Sequence, residues 1–187
     1  LNIDFKDTYA GTIGDVFGGN DIANSVTTTT PSVLVKGNPN ITGAVYGGGN
    51  GAYEYTGGKV YELGHDQDAE PIATLCGSKP SVSSSTVTIQ TTPADNHTIA
   101  EVYGGCKAAD VTNTATVTLT SGSVGTIYGG CNISGDVATT AVSVSGGQVT
   151  GSVFGGSNGA YACSDEDGKY EDGRYAGMAI PTVTTSA

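Results

Sequence analysis

Ala115–Cys131, A-T-V-T-L-T-S-G-S-V-G-T-I-Y-G-G-C, reads as a short strand, a glycine turn, a second short strand and a Gly-Gly corner. Ala141–Ser157, A-V-S-V-S-G-G-Q-V-T-G-S-V-F-G-G-S, is the same unit one step later. Val117 and Leu119 recur as Val142 and Val144, and Ile127-Tyr128-Gly129-Gly130 recurs as Val153-Phe154-Gly155-Gly156. The chain is therefore a repeat protein.

Working outward, the aliphatic-aromatic-Gly-Gly motif occurs five times, beginning at Val16, Val45, Val102, Ile127 and Val153. The steps between these positions are 29, 57, 25 and 26 residues. A β-rich period in this range marks a solenoid or a propeller. Alternating strands precede most of the motifs: Val33-Leu34-Val35, Val87-Thr88-Ile89, Val117-Thr118-Leu119 and Val142-Ser143-Val144. Two short strands per period are too few for a propeller blade, which needs four. They suit one rung of a right-handed parallel β-helix, about six rungs of about 25 residues, with a third strand expected near Asp136–Val142. In such a coil equivalent residues stack ~4.8 Å apart. Val and Ile columns then fill the interior, Thr and Ser columns face water, and Gly takes corners where φ turns positive. A β-sandwich would explain the alternation but would not require five matched motifs.

Composition agrees. Glycine supplies 30 of 187 residues, Trp is absent and Met occurs once, and no run of helix formers is present. Thr-Val-Thr patterns favour a pleated, half-buried surface, so the chain reads as all-β. The net charge of −11, with only 7 Lys plus Arg, argues against nucleic acid or an anionic membrane surface as partner. No stretch approaches the ~18 apolar residues of a membrane-spanning helix. Leu1 is not an initiator Met, and Pro181–Ala187 reads as the opening strand of another unit. That pattern is expected of an excerpt from a longer repeat protein, or of open rungs that stack on other copies.

Two insertions break the period, 49–85 and 157–181. They open alike, Gly49-Asn50-Gly51-Ala52-Tyr53 against Ser157-Asn158-Gly159-Ala160-Tyr161, and so should leave the stack at one corner. Both are acidic and rich in tyrosine. Insertions on one face of a solenoid commonly bind ligands, which makes Tyr53, Tyr55, Tyr61, Tyr161, Tyr170 and Tyr175 the candidate ligand contacts.

Cys106 and Cys131 each follow a Gly-Gly corner, so stacking places their Cα atoms ~5 Å apart, within disulfide range. A bridge there would close a loop of about 25 residues and contribute on the order of 3 kcal/mol. The alternative is a reduced, buried cysteine column. Cys76 and Cys163, one in each insertion, form the second candidate pair. Asp165-x-Asp167-Gly168 fails the EF-hand pattern, because its Gly comes two positions early, but Asp165, Asp167 and Asp172 form a looser candidate calcium site. Otherwise no cofactor is expected, and zinc motifs are missing. The aromatic column Phe17, Tyr46, Tyr103, Tyr128 and Phe154 should stack along one edge, packed in the coil or, if exposed, as a platform for sugar rings. The strands carry almost no ionisable residues and no nucleophile motif, so no catalytic residue is expected.

Tandem V-Y-G-G and T-V-T-V-x-G-G-x-V units resemble those of the repetitive secreted or surface β-helix proteins of gut Bacteroidetes, many of them adhesin-like. They resemble autotransporter passenger regions more loosely. The resemblance covers most of the chain outside the insertions, and its motifs are structural. It implies an extracellular or cell-surface location and a non-enzymatic adhesion or scaffold role. A glycan or a host or bacterial surface protein is the expected ligand, with neighbouring repeats or other copies as further partners. The alternatives are a filament subunit stacking end to end and a carbohydrate-active β-helix enzyme.

Overall fold

The computed structural model describes residues 1–6, 11–23, 30–74, 78–92, 97–159, 170–171, 174–175 and 180–186. Among them every regular element is a strand, and no helix is long and apolar enough to cross a membrane. In chain order the first strands are β1 (Asn2–Phe5), β2 (Val16–Phe17), β3 (Ser32–Gly37) and β4 (Ala44–Tyr46). The first insertion then carries β5 (Glu54–Thr56), β6 (Lys59–Tyr61) and β7 (Ala73–Thr74). Next come β8 (Ser85–Thr91), β9 (Ile99–Tyr103), β10 (Val111–Ser121), β11 (Ser123–Tyr128) and β12 (Asp136–Val144). The last are β13 (Gln148–Val149), β14 (Val153–Phe154), β15 (Tyr170–Glu171), β16 (Arg174–Tyr175) and β17 (Thr182–Ser186).

Two six-stranded sheets, parallel throughout, hold most of the chain. One runs β1-β3-β8-β10-β12-β17, the other β13-β11-β9-β4-β2 with β14 also on β11. Their strands alternate along the sequence, so each strand pairs with its counterpart in the next repeat. The repeat read from the sequence is the register itself: Val16 pairs with Val45, Val45 with Val102, and Ile127 with Val102 and Val153. The step of 57 residues is still one strand spacing, because the first insertion leaves the sheets and returns. Its strands β5, β6 and β7 form a small antiparallel sheet, and β15 pairs antiparallel with β16 in the second.

The core lies between the two parallel sheets. Val33, Val35, Val87, Ile89, Val117 and Leu119 from one meet Val16, Val45, Ile99, Val102, Val124 and Ile127 from the other, all buried. Each such aliphatic side chain contributes about 1.5–3 kcal/mol by leaving water. A second cluster joins Val82, Cys106, Ala109, Val111, Ala115, Cys131 and Val137.

Two expectations change. The third strand expected near Asp136–Val142 is not separate. It is the first part of β12, which continues through Val144 and pairs with β10 across an irregularity between Val111 and Thr114. Along β10, Val111 and Ala115 join the second cluster and Val117 and Leu119 the first. The glycine roles also divide. Gly122 and Gly147, at equivalent turns, have φ of 101° and 79°, as a turn reading requires. The Gly-Gly corners do not have positive φ. Their glycines permit close stacking instead: a Cβ on Gly47 would lie 2.3 Å from the Gly104 carbonyl oxygen, and one on Gly104 would lie 2.4 Å from that of Gly129. At the second glycine of the pair, a Cβ on Gly48 or Gly105 would meet the sulfur of Cys106 at 2.3 Å or of Cys131 at 2.6 Å.

Candidate functional site

The aromatic residues of the five motifs form one ladder. Ring centroids are 4.8 Å apart for Phe17–Tyr46, 5.0 Å for Tyr46–Tyr103, 4.8 Å for Tyr103–Tyr128 and 5.1 Å for Tyr128–Phe154, all within 11° of parallel. The in-register strands impose this spacing. Tyr46 and Tyr103 are buried, so the ladder is mostly packing. Inside the column each ring's faces are covered by its neighbours, which leaves the edges and hydroxyls for other contacts.

Beside the ladder runs a polar column that the sequence analysis passed over. After each Gly-Gly corner the backbone stays paired: Asn50 N–H donates to Asn20 O, Lys107 N–H to Gly49 O, Asn132 N–H to Cys106 O and Asn158 N–H to Cys131 O. This aligns Asp21, Asn50, Lys107, Asn132 and Asn158. The last three lean back two strands. Lys107 Nζ reaches Asp15 Oδ2 at 3.1 Å, Asn132 Nδ2 donates to the Tyr46 hydroxyl at 2.8 Å, and Asn158 Nδ2 donates to the Tyr103 hydroxyl at 3.1 Å. Asn158 Nδ2 also bonds Asn132 Oδ1 at 3.0 Å. Both insertions leave the stack just after this column, at Asn50 and at Asn158, three strand steps apart and on the same side.

A third column faces it. Glu101 is paired with Ala44 on one side and Thr126 on the other, and Asp15 precedes β2 opposite Ala44. The Ala44 amide donates to Asp15 Oδ1 at 2.9 Å, and the Tyr103 hydroxyl donates to Glu101 Oε2 at 3.0 Å. Between the columns lies an open groove of about 440 Å³, lined among others by Asp15, Tyr46, Glu101, Lys107, Thr126 and Asn132. Tyr128, next to Tyr103, has its hydroxyl pKa pushed up by burial and then by the Glu101 charge. Glu101 on β9, Asp15 just before β2 and Lys107 after β9 thus bring two carboxylates and a lysine to one outward face, and a count confined to ionisable strand residues leaves two of the three out.

The expected ligand tyrosines fare differently. The Tyr53 hydroxyl lies 3.0 and 3.1 Å from the two Asp21 carboxylate oxygens, to which it donates. Burial, and then the hydrogen bond and charge of Asp21, push its pKa up to about 12. The Tyr55 hydroxyl donates to the Ile22 carbonyl, burial raises its pKa strongly, and Lys79 Nζ sits 5.5 Å from its ring centroid. These two residues moor the first insertion to the segment after β2. Tyr61 stacks on His65 at 4.3 Å, and His65 Nδ1 is 3.3 Å from Glu54 Oε2. A smaller polar cleft of about 300 Å³ lies between Tyr53, Asn50, Glu62 and Lys107. Tyr170 and Tyr175 are paired with each other across β15 and β16. Tyr161, the calcium candidates Asp165, Asp167 and Asp172, and the candidate pair Cys76 and Cys163 lie outside the described residues. Among the described residues no group of three or more His, Cys, Asp or Glu is placed to hold a metal.

The candidate disulfide between Cys106 and Cys131 is corrected: both are buried free thiols. In-register strands translate a side chain by about 4.8 Å instead of turning it toward its neighbour, far from the ~2.05 Å of an S–S bond. The Cys106 amide donates to Cys131 Sγ at 3.3 Å, and Cys131 Sγ donates to Ala109 O at 3.3 Å. One step on, the Cys131 amide donates to Ser157 Oγ at 2.9 Å. Cys and Ser thus play one role in this column, accepting the amide of the preceding repeat. Hydrogen bonding with the Cys106 side chain, together with complete burial, pushes the Cys131 thiol well above its usual range.

Comparison with protein-family models, curated proteins and solved structures finds no match to this chain.

Proposed function

We propose that this chain is a right-handed parallel β-helix segment of an extracellular or cell-surface repeat protein of the adhesin-like kind, acting as a non-enzymatic stalk and binding module. The observation that supports this best is the unbroken register of five motifs across sequence steps of 29, 57, 25 and 26 residues. A chain that keeps one strand spacing per repeat, whatever it inserts, is a regular rod that carries its variation on one side. The two insertions leave from one column, at Asn50 and Asn158, three steps apart, and Lys107 and Asn132 of that same column line the groove. That side is the proposed ligand face, with a glycan or a surface protein as partner.

A filament subunit is the second reading. Val153 and Phe154 on β14, 48% and 46% exposed, favour it because they leave an apolar edge for a neighbouring copy. Sedimentation velocity over a concentration series, combined with glycan-array binding, separates the two. A monomer that binds glycans retains the module reading. Concentration-dependent assembly that survives removal of residues 53–80 replaces it with the filament reading.

A further inference from the structure

We infer that the groove between the Asp15–Glu101 column and the Lys107–Asn132 column binds a neutral, hydroxyl-rich glycan chain running along the stack of strands. This rests on reading the chain as a binding module, and it moves the ligand contacts from the insertion tyrosines to the strand face.

The argument begins with which groups are committed. Asp15 is occupied at both oxygens, by the Ala44 amide and the Lys107 ammonium. Glu101 accepts from Tyr103 at Oε2 only, and among the described residues no partner meets its Oε1. The Lys107 ammonium has three N–H donors and gives one to Asp15. The groove therefore presents a carboxylate acceptor and an ammonium donor on opposite walls, with amide and phenol groups between them. Adjacent hydroxyls of a sugar, which donate and accept at once, match that pairing.

Charge and shape narrow the class. Asp15 and Lys107 offset one another, so Glu101 leaves the groove with a net charge of about −1 in a chain of net charge −11. A sulfated or uronic polymer would be repelled, and no phosphate-sized cluster of cations is present among the lining residues. The groove is an open trough, not an enclosed cavity, which suits a chain that passes through and not a small molecule that must be surrounded. Its lining runs from Asp15, just before β2, across β4 and β9 to Thr126 on β11; three steps of ~4.8 Å make it ~14 Å long, and each step approximates one pyranose unit of an extended glycan. The ring faces of Tyr46 and Tyr103 are spent on each other, so recognition goes through hydroxyl hydrogen bonds and not through ring stacking.

The test is titration calorimetry of the whole chain with β-1,4-linked hexasaccharides of glucose, xylose and mannose, and with a hexasaccharide of galacturonic acid as the anionic probe. The expected result is binding of at least one neutral probe, none of the anionic one, and a loss of about tenfold or more in Glu101→Gln and in Lys107→Met. Thr112→Ala, on an exposed strand position away from the groove, should bind as the unaltered chain does. Circular dichroism of each variant excludes unfolding as the cause of a loss. Neutral binding that both groove variants retain overturns the groove while leaving the module reading intact. Stronger binding of the galacturonic probe, or no binding by any probe, also overturns it; the module reading is then judged by the sedimentation and glycan-array results.

Discussion

Tyr103 and Gly104 are neighbours in the third motif, and the stack uses them in opposite ways. Tyr103 fills space: its ring is buried between Tyr46 and Tyr128 and its hydroxyl joins Glu101 and Asn158. Gly104 is the absence of a side chain, since a Cβ there would sit 2.4 Å from the Gly129 carbonyl oxygen, a backbone atom that cannot swing aside. Urea unfolding should therefore show Gly104→Ala destabilised by about 2–3 kcal/mol, the cost of forcing strands apart. Tyr103→Phe should lose about 1 kcal/mol, the net value of its hydrogen bonds, and Tyr103→Ala about 3–5 kcal/mol. Tyr53 adds a pH dependence. Its hydroxyl pKa is about 12 in the folded chain against ~10 when unfolded. The folded state binds the proton more tightly, so the contribution of Tyr53 is complete below pH ~10 and is lost as pH rises through about 12. Alkaline titration followed by tyrosinate absorbance and amide exchange should show the first insertion loosening in that window, and Tyr53→Phe should weaken the dependence, leaving the part carried by Tyr55, whose pKa burial also raises.

At the scale of the element, the pairing of β4 with β9 and of β9 with β11 carries the fold, and it was legible because a one-step translation turns sequence period into spatial register. The cysteine column was legible in position but not in chemistry. Spacing places Cys106 above Cys131 but does not turn one sulfur toward the other. Both thiols should resist alkylation in the native chain and react after unfolding, which peptide mass spectrometry reads residue by residue; a reductant-sensitive bridge between them would contradict the structure. Because Ser157 fills the same role one step on, Cys131→Ser should change stability by less than about 1 kcal/mol. The Gly-Gly corners were misread for a related reason: glycine in a sequence signals freedom in φ, and only the neighbouring repeat reveals that close approach is what excludes a side chain there.

Over the whole molecule, columns that repeat were visible in the sequence and the groove was not. Asp15 and Glu101 hold the same position, just before the motif aliphatics Val16 and Val102, but Ala44 and Thr126 fill it on the neighbouring repeats, so the acid is not regular at the motif period. Lys107 stands in a column otherwise of Asp and Asn, 92 positions from the Asp15 it meets. The groove is written in departures from the repeat, which a reading for the period passes over. All of this rests on the five motifs being stacked one step at a time, the 57-residue interval included. The most direct measurement is the pattern of nuclear Overhauser contacts among the ring protons of Tyr46, Tyr103 and Tyr128. In-register stacking predicts contacts from Tyr46 to Tyr103 and from Tyr103 to Tyr128, with none between Tyr46 and Tyr128. A direct Tyr46–Tyr128 contact, or no contact between Tyr46 and Tyr103, would mean that the first insertion breaks the stack.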